Sequence, residues 1–274
     1  MTARAVLSVD FESFAHTPAY RSASGTTSDP EDIGPDQTER LLETFETHDA
    51  TSTFFVVSEV AQRHPDRIVA AADRGHEIAS HTHTHPLLID RTVAERREEL
   101  TRSRQILESV TDASVTGFRA PAFDFGADHF ELLADAGYQY DSSVAPCRSI
   151  PGWYGGEWSV REPTPASELR ANAPDSVTEL PIAVMPGLGL PLTGTWIRFF
   201  GVHYTLLGMK LLARRGIAPV LYVHPWELAD LPPVEGVPRR VYVRTGEWMW
   251  RAVERILQSD FEFVTARNVV EETE

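Results

Sequence analysis

Apolar and polar positions along this chain follow two periods that take turns. Residues 5–11 form a short apolar run, and residues 36–48 then place Leu41, Leu42 and Phe45 at helical spacing. The run 51–57, TSTFFVV, predicts a second strand, followed by a helix over about 60–74 that Gly75 ends. Residues 77–80 predict a third strand, and 92–110 a long charged helix with Val93, Leu100, Ile106 and Leu107 near one stripe. A strand at 115–119, a helix at 127–136 closed by Gly137, and a strand at 138–144 continue the rhythm. It returns late in the chain, with helices near 204–215 and 247–258 and strands at 219–223 and 261–265. Such alternation implies an α/β fold of parallel strands joined by crossover helices. The stretch from 146 to about 200 breaks it, being rich in Pro, Gly and Trp, and predicts an irregular insertion over one face. No repeat and no linker divides the rest, so residues 1–274 are expected to form a single domain.

Composition narrows what such a fold can do. With 274 residues, 42% of them hydrophobic, the chain can bury a full core. Its single cysteine, Cys147, excludes an intramolecular disulfide and a cysteine-built zinc site. The first residues show no basic region or cleavage site, and no apolar run reaches bilayer length. A cytoplasmic protein without a membrane span is therefore expected. Forty Asp and Glu against 25 Lys and Arg give a net charge of −15, which repels phosphate backbones and argues against nucleic acid. Only one of those cations is lysine, Lys210. An acidic, lysine-poor surface is halophile-like, since concentrated salt screens its self-repulsion. An arginine-favouring genome leaves the same trace.

Candidate chemistry gathers at the ends of the predicted strands, where a barrel keeps its functional residues. Asp10 and Glu12 follow the first strand two residues apart and so face the same way. Such a pair can divide into a general base and a metal ligand, although acids at strand ends are most often merely solvated. His81, His83 and His85 follow the third strand. If that segment turns helically, His81 and His85 converge as metal-binding imidazoles and His83 points elsewhere. Glu12 can supply the acidic third ligand, and two histidines with one carboxylate suit catalytic zinc or another first-row divalent ion. Arg119 ends another strand and can hold a carboxylate bidentately, though a surface ion pair would look the same. Asp141 and His224 close two more. A lone histidine there is more often structural, but beside a carboxylate such as Asp141 it could serve as a general acid.

In this order, Asp10/Glu12, His81-xxx-His85, Arg119-x-Pro121, Asp141 and Leu221-x-x-His224-Pro225 resemble the five motifs of the polysaccharide deacetylases, the NodB-homology family (carbohydrate esterase family 4). The resemblance runs from residue 5 to about 266 and implies a distorted (β/α)7 barrel. Asp10-Phe11-Glu12 departs from the adjacent aspartates usual in the first motif. The spaced pair is similar to the branch holding intracellular peptidoglycan-deacetylase-like proteins and exopolysaccharide-locus deacetylases. His224-Pro225-Trp226-Glu227 and residues 186–198 also resemble the exopolysaccharide-locus members. Ala122 and Ser142 stand where the family carries aromatics, which alters the wall of the substrate groove.

What the resemblance implies is metal-assisted removal of N-acetyl groups from an amino-sugar glycan or its precursor. Glu12, His81 and His85 would hold a divalent ion, with zinc the expected one. Asp10 would be the general base, fixed by Arg119, and a backbone N–H at Ala122 would serve the oxyanion. His224, oriented by Asp141, would protonate the leaving amine. Two rivals keep the fold: an allantoinase-like or cyclic-imide amidohydrolase, and a non-catalytic glycan-binding module. An N-acetylated glycan is the expected partner, and a homo-oligomer is left open.

Overall fold

A computed structural model describes residues 2–25, 32–150 and 155–273. The first strand, β1 (Ala3–Phe11), pairs with three other strands and shows why the fold forms. Its odd positions Leu7, Val9 and Phe11 point outward into the large core under the helices. Val6 points the other way, into a smaller cluster with Phe55, Ala79, Tyr140, Leu180 and Val220 inside the barrel. Ser8 and Asp10 share that inward face, so polar groups enter the barrel interior on the same strand that builds its core.

Two short helices, α1 (Pro18–Ser24) and α2 (Thr38–Thr47), precede β2 (Thr53–Val56). The helix expected over 60–74 is two helices, α3 (Ser58–Arg63) and α4 (Pro65–Asp73). His64 precedes a proline and is pushed out of the helical region to φ −131°, ψ 55°, which ends one helix and lets Pro65 open the next. β3 (Glu77–Ser80) matches expectation, and α5 (Val93–Thr111) opens on a Thr92–Glu95 capping box. β4 (Gly117–Phe118), α6 (His129–Asp135) and β5 (Tyr140–Asp141) follow, all shorter than their sequence patterns.

The expected irregular insertion is only partly irregular. Residues 151–154 lie outside the described residues, but beyond them come β6 (Thr164–Pro165), α7 (Ala166–Leu169) and β7 (Thr178–Glu179). β7 pairs in parallel with β5, and β6 runs antiparallel on its outer side. Residues just after β7 stitch the barrel shut: Leu180 N–H donates to Asp141 O, Ile182 N–H to Val144 O, and Ala183 N–H to Val220 O. Pro181 interrupts this run and Pro186 follows it, which masks its strand character in the sequence.

Helices α8 (Gly194–Phe200) and α9 (Val202–Ala213) lead to β8 (Val220–Val223), which pairs with β1. α10 (Glu247–Leu257), β9 (Phe261–Phe263) and α11 (Ala266–Glu271) complete the chain. The path β7-β5-β4-β3-β2-β1-β8 is parallel throughout, the strand set of a distorted (β/α)7 barrel. α11 was not anticipated; it packs Val269 and Val270 under the interior cluster. Among the described residues no helix is long and apolar enough to cross a membrane.

Candidate active site

The C-terminal ends of the parallel strands open into a cavity of about 770 Å³, lined by Asp10, Glu12, His81, His85, Ala122 and His224 among others. Six sequence-predicted site residues therefore meet in one place. Arg119 lies just beneath them, fully buried. Asp141 is also buried, but it faces a different group of side chains.

Glu12, His81 and His85 form the innermost cluster, with one ligand atom from each lying within 4.8 Å of the others. The histidines do not converge through a helix, as their spacing suggested. They meet because Thr82 and His85 adopt left-handed φ values of 69° and 56°, which fold the segment back on itself. Glu99 on α5 holds the turn by accepting the backbone N–H groups of His83 and Thr84 at 2.8 Å each. His83 points away from the cluster, its Nδ1 2.9 Å from Ser58 Oγ.

His81 Nδ1 lies 2.7 Å from the Arg119 carbonyl, a pure acceptor, so Nδ1 carries the hydrogen and Nε2 presents a lone pair. His85 Nε2 sits 3.2 Å from that nitrogen and 2.7 Å from Glu12 Oε2. Burial lowers the pKa of both rings, that of His81 to about 4, so both are neutral at physiological pH. Burial also opposes ionisation of Glu12, but His85, His224 and His81 outweigh it and hold the carboxyl well below its ordinary range. Two neutral imidazoles and one carboxylate, converging and shielded from water, fit a divalent cation by donor type and count.

Asp10 flanks the cluster on one side. Its Oδ1 accepts from Arg119 NH1 at 2.5 Å. The arginine does not grip it bidentately: NH1 also donates to Ser8 Oγ at 2.9 Å, Nε to Ser142 O at 3.1 Å and NH2 to Ser142 Oγ at 2.9 Å. Its guanidinium lies 4.0 Å from the centre of the Phe55 ring. All three guanidinium nitrogens are hydrogen-bonded, so Asp10 is held by a cation that is itself fixed in place. Ala122 and Phe123 form the adjacent rim, both left-handed at φ 53° and 59°. Non-glycine residues adopt that conformation only where surroundings enforce it.

His224 also lies beside the cluster, its Nε2 3.8 Å from Glu12 Oε1. The expected partner, Asp141, does not reach it. His224 Nδ1 instead lies 3.0 Å from Glu227 Oε2, three residues on in the turn that Pro225 opens. Arg198 of α8 donates to the other Glu227 oxygen at 2.6 Å, and both members of that pair are buried. Burial opposes the charge on His224, yet Glu227, Glu12 and Asp10 raise its pKa to about 9. Trp226 ties the parts together: its ring stacks on His224 at 5.0 Å and its indole N–H donates to Glu12 Oε1 at 2.9 Å. Asp141 turns toward His129, whose Nε2 lies 2.9 Å from Oδ2, and toward the Ser143 hydroxyl. Buried Glu179 beside it has its carboxyl pushed up by burial and by the Asp141 charge.

Sequence reasoning thus missed Glu227, Arg198 and Trp226. The i, i+3 spacing of His224 and Glu227 around a proline was a usable signal; Arg198, on a separate helix, offered none.

Comparison with known proteins bears on this arrangement. Residues 28–140 match the family model for polysaccharide deacetylase, and residues 142–271 match a domain of unknown function, DUF3473. Over residues 28–140 this chain is similar to the polysaccharide deacetylases. It is 28% identical over 105 residues to the peptidoglycan deacetylase of Helicobacter pylori, covering 38% of this chain and 36% of that protein. It is 35% identical over 129 residues to a chitooligosaccharide deacetylase of a Bradyrhizobium species, covering 45% of this chain and 59% of that one. The matched segments thus span between about a third and three fifths of those relatives. A crystal structure of a Mycobacterium smegmatis protein assigned to the polysaccharide deacetylases superposes with a TM-score of 0.68 at 24% identity, over 99% of this chain and 90% of that one, which shows the shared fold. The two matched segments are built into one barrel: Tyr140 of the first pairs with Thr178 of the second, and β1, which precedes both, pairs with β2 of the first and β8 of the second.

Proposed function

We propose that this chain acts as a polysaccharide deacetylase, removing N-acetyl groups from an amino-sugar glycan or glycan precursor. The observation that carries the proposal is that Asp10 and His224 line the same cavity as the Glu12–His81–His85 cluster. An amide hydrolase needs a base on the water side and an acid on the leaving-group side of one carbonyl. A divalent ion, zinc on this reading, would be held by Glu12, His81 and His85 and would supply Lewis acidity and a more acidic water. Asp10 then takes a proton from water, kept in place by Arg119. The Ala122 N–H, on its left-handed rim, faces the developing oxyanion. His224 gives a proton from Nε2 to the departing amine, with Glu227 rather than Asp141 holding Nδ1.

The direct test is elemental analysis of the purified chain together with acetate release from chitooligosaccharides and peptidoglycan fragments. One divalent ion per chain and acetate from at least one N-acetylated glycan are expected. Metal binding with no acetate release, but with turnover of a cyclic ureide, would place the activity elsewhere in hydrolysis of C–N bonds.

A further inference from the structure

From residue 180 to residue 226 the chain contains no Asp or Glu, although the protein has 40. The same stretch carries Arg198, Lys210, Arg214 and Arg215, so in a chain of net charge −15 the longest acid-free stretch is purely cationic. Arg198 is neutralised internally by Glu227. Lys210, Arg214 and Arg215 are exposed on α9 or immediately after it, and among the described residues no acid pairs with them.

The exposed side of α9 is one stripe. His203, Leu207, Lys210 and Arg214 follow at steps of four, three and four residues, and all are exposed. Leu207 is 55% exposed. At the start of the helix Phe200, 48% exposed, packs on Tyr204 with ring centres 4.9 Å apart. The Tyr204 hydroxyl donates to Leu190 O at 3.2 Å, which brings the loop of Leu188, 56% exposed, alongside. Three of the six exposed large apolar side chains among the described residues therefore sit on the longest acid-free segment of the chain or beside it. Thr195 and Arg198 of α8 line the catalytic cavity, so this face adjoins its rim.

We propose that the α8–α9 face docks on an anionic lipid bilayer and holds the cavity at the membrane surface. α9 is too short to span a membrane, but a helix with an apolar and basic outer stripe lies in the interface plane. Phe200 and Leu207 enter the headgroup boundary while Lys210 and Arg214 reach lipid phosphates from apolar stems. Charge decides the orientation. All 40 acids lie outside residues 180–226, so an anionic surface repels the rest of the molecule and attracts this face. A bilayer fits better than a protein partner because lysine is depleted from the cores of protein interfaces, whereas here Lys210 lies between Leu207 and Arg214.

The experiment is flotation of the full chain with phosphatidylcholine vesicles, with and without phosphatidylglycerol, in dilute buffer. Binding is expected only with phosphatidylglycerol, and about tenfold weaker for Lys210→Glu/Arg214→Glu. Phe200→Ser/Leu207→Ser should also weaken it, with circular dichroism unchanged. All these side chains are exposed and away from the catalytic cluster, and no substrate is needed, so the result stands apart from the deacetylase proposal. Three outcomes overturn the idea: no binding of folded wild type to phosphatidylglycerol vesicles, equal binding by both double variants, or a wild-type dimer that the Phe200 and Leu207 changes dissociate. The last would assign the face to a second copy of the chain.

Discussion

The two ends of the barrel each bury a glutamate, and the two are handled in opposite ways. At the N-terminal end Glu77 accepts from the Thr53 hydroxyl at 2.7 Å, the Tyr140 hydroxyl at 2.9 Å and the Arg267 N–H at 3.1 Å. α11 covers it, and burial pushes its carboxyl above the ordinary range. At the C-terminal end Glu12 is as deeply buried, but it faces His85, His81 and His224 across a cavity, and those rings hold its carboxyl low. Burial alone therefore does not mark a functional acid. What differs is the company: fixed hydroxyl and amide donors below, imidazole rings and open space above. Below, the acid fastens the last helix to the sheet; above, it belongs to a set of donors whose types and number fit a divalent cation.

The sharpest way to break this contrast is to remove one acid at a time. Glu12→Ala and His81→Ala should empty the metal site and abolish acetate release, with little change in fold. Glu77→Ala should do the reverse. It strands three donors at about 1–3 kcal/mol each, so the melting temperature should fall sharply while metal content per folded chain stays at wild-type level. Equal metal loss in both sets, read by elemental analysis, would erase the functional distinction between the two ends.

The next effect separates the groups around the cluster. Asp10→Asn and His224→Ala should each lower turnover by roughly 10²–10⁴-fold, as loss of a general base or acid does, with the metal retained. If Asp10→Asn empties the site, the roles of Asp10 and Glu12 are exchanged. An aryl acetate, whose leaving group needs no proton, should be spared in His224→Ala but not in Asp10→Asn.

A smaller effect concerns Glu227. In the metal-free protein His224 should titrate near pH 9 by NMR, and Glu227→Gln should bring it down. The accompanying stability has a definite window. His224, raised from 6.5, contributes fully below pH 6.5 and loses that contribution as pH rises through about 9. Glu227, lowered from 4.5 to about 2, contributes above pH 4.5 and loses it as pH falls toward 2. The melting-temperature gap between wild type and Glu227→Gln should therefore be widest between about pH 4.5 and 6.5. Arg198→Ala should destabilise most above about pH 4.5, where it leaves the buried Glu227 carboxylate without its guanidinium partner, a change costing about 3–5 kcal/mol. Asp141→Asn should leave the His224 titration unmoved.

The smallest expected effect is global. A chain of net charge −15 should melt higher in molar potassium chloride than in dilute buffer, because the screening length shrinks to about 3 Å. A flat melting temperature across that range would leave arginine-favouring codon usage as the sole account of the missing lysines.

Most of the barrel and most of the site are written in short stretches of chain. The strands at Glu77–Ser80 and Val220–Val223 and the helix at Val93–Thr111 are set by local period and capping, so the sequence alone determines them. Asp10, Glu12, His81, His85, Arg119 and His224 are likewise legible, because a parallel strand delivers the residue at its C-terminal end to one face. Tertiary structure decided what depends on distance through space. Leu180–Ala183 reads as part of an insertion until its backbone meets Val144 and Val220. His81 and His85 converge through a left-handed turn that Glu99 braces from another helix. His224 has two acids to choose from, and it takes Glu227 because Arg198 holds that carboxylate in reach while Asp141 is drawn to His129. Sequence period specifies which face a side chain leaves from; only the packed barrel specifies which side chain from another element it meets.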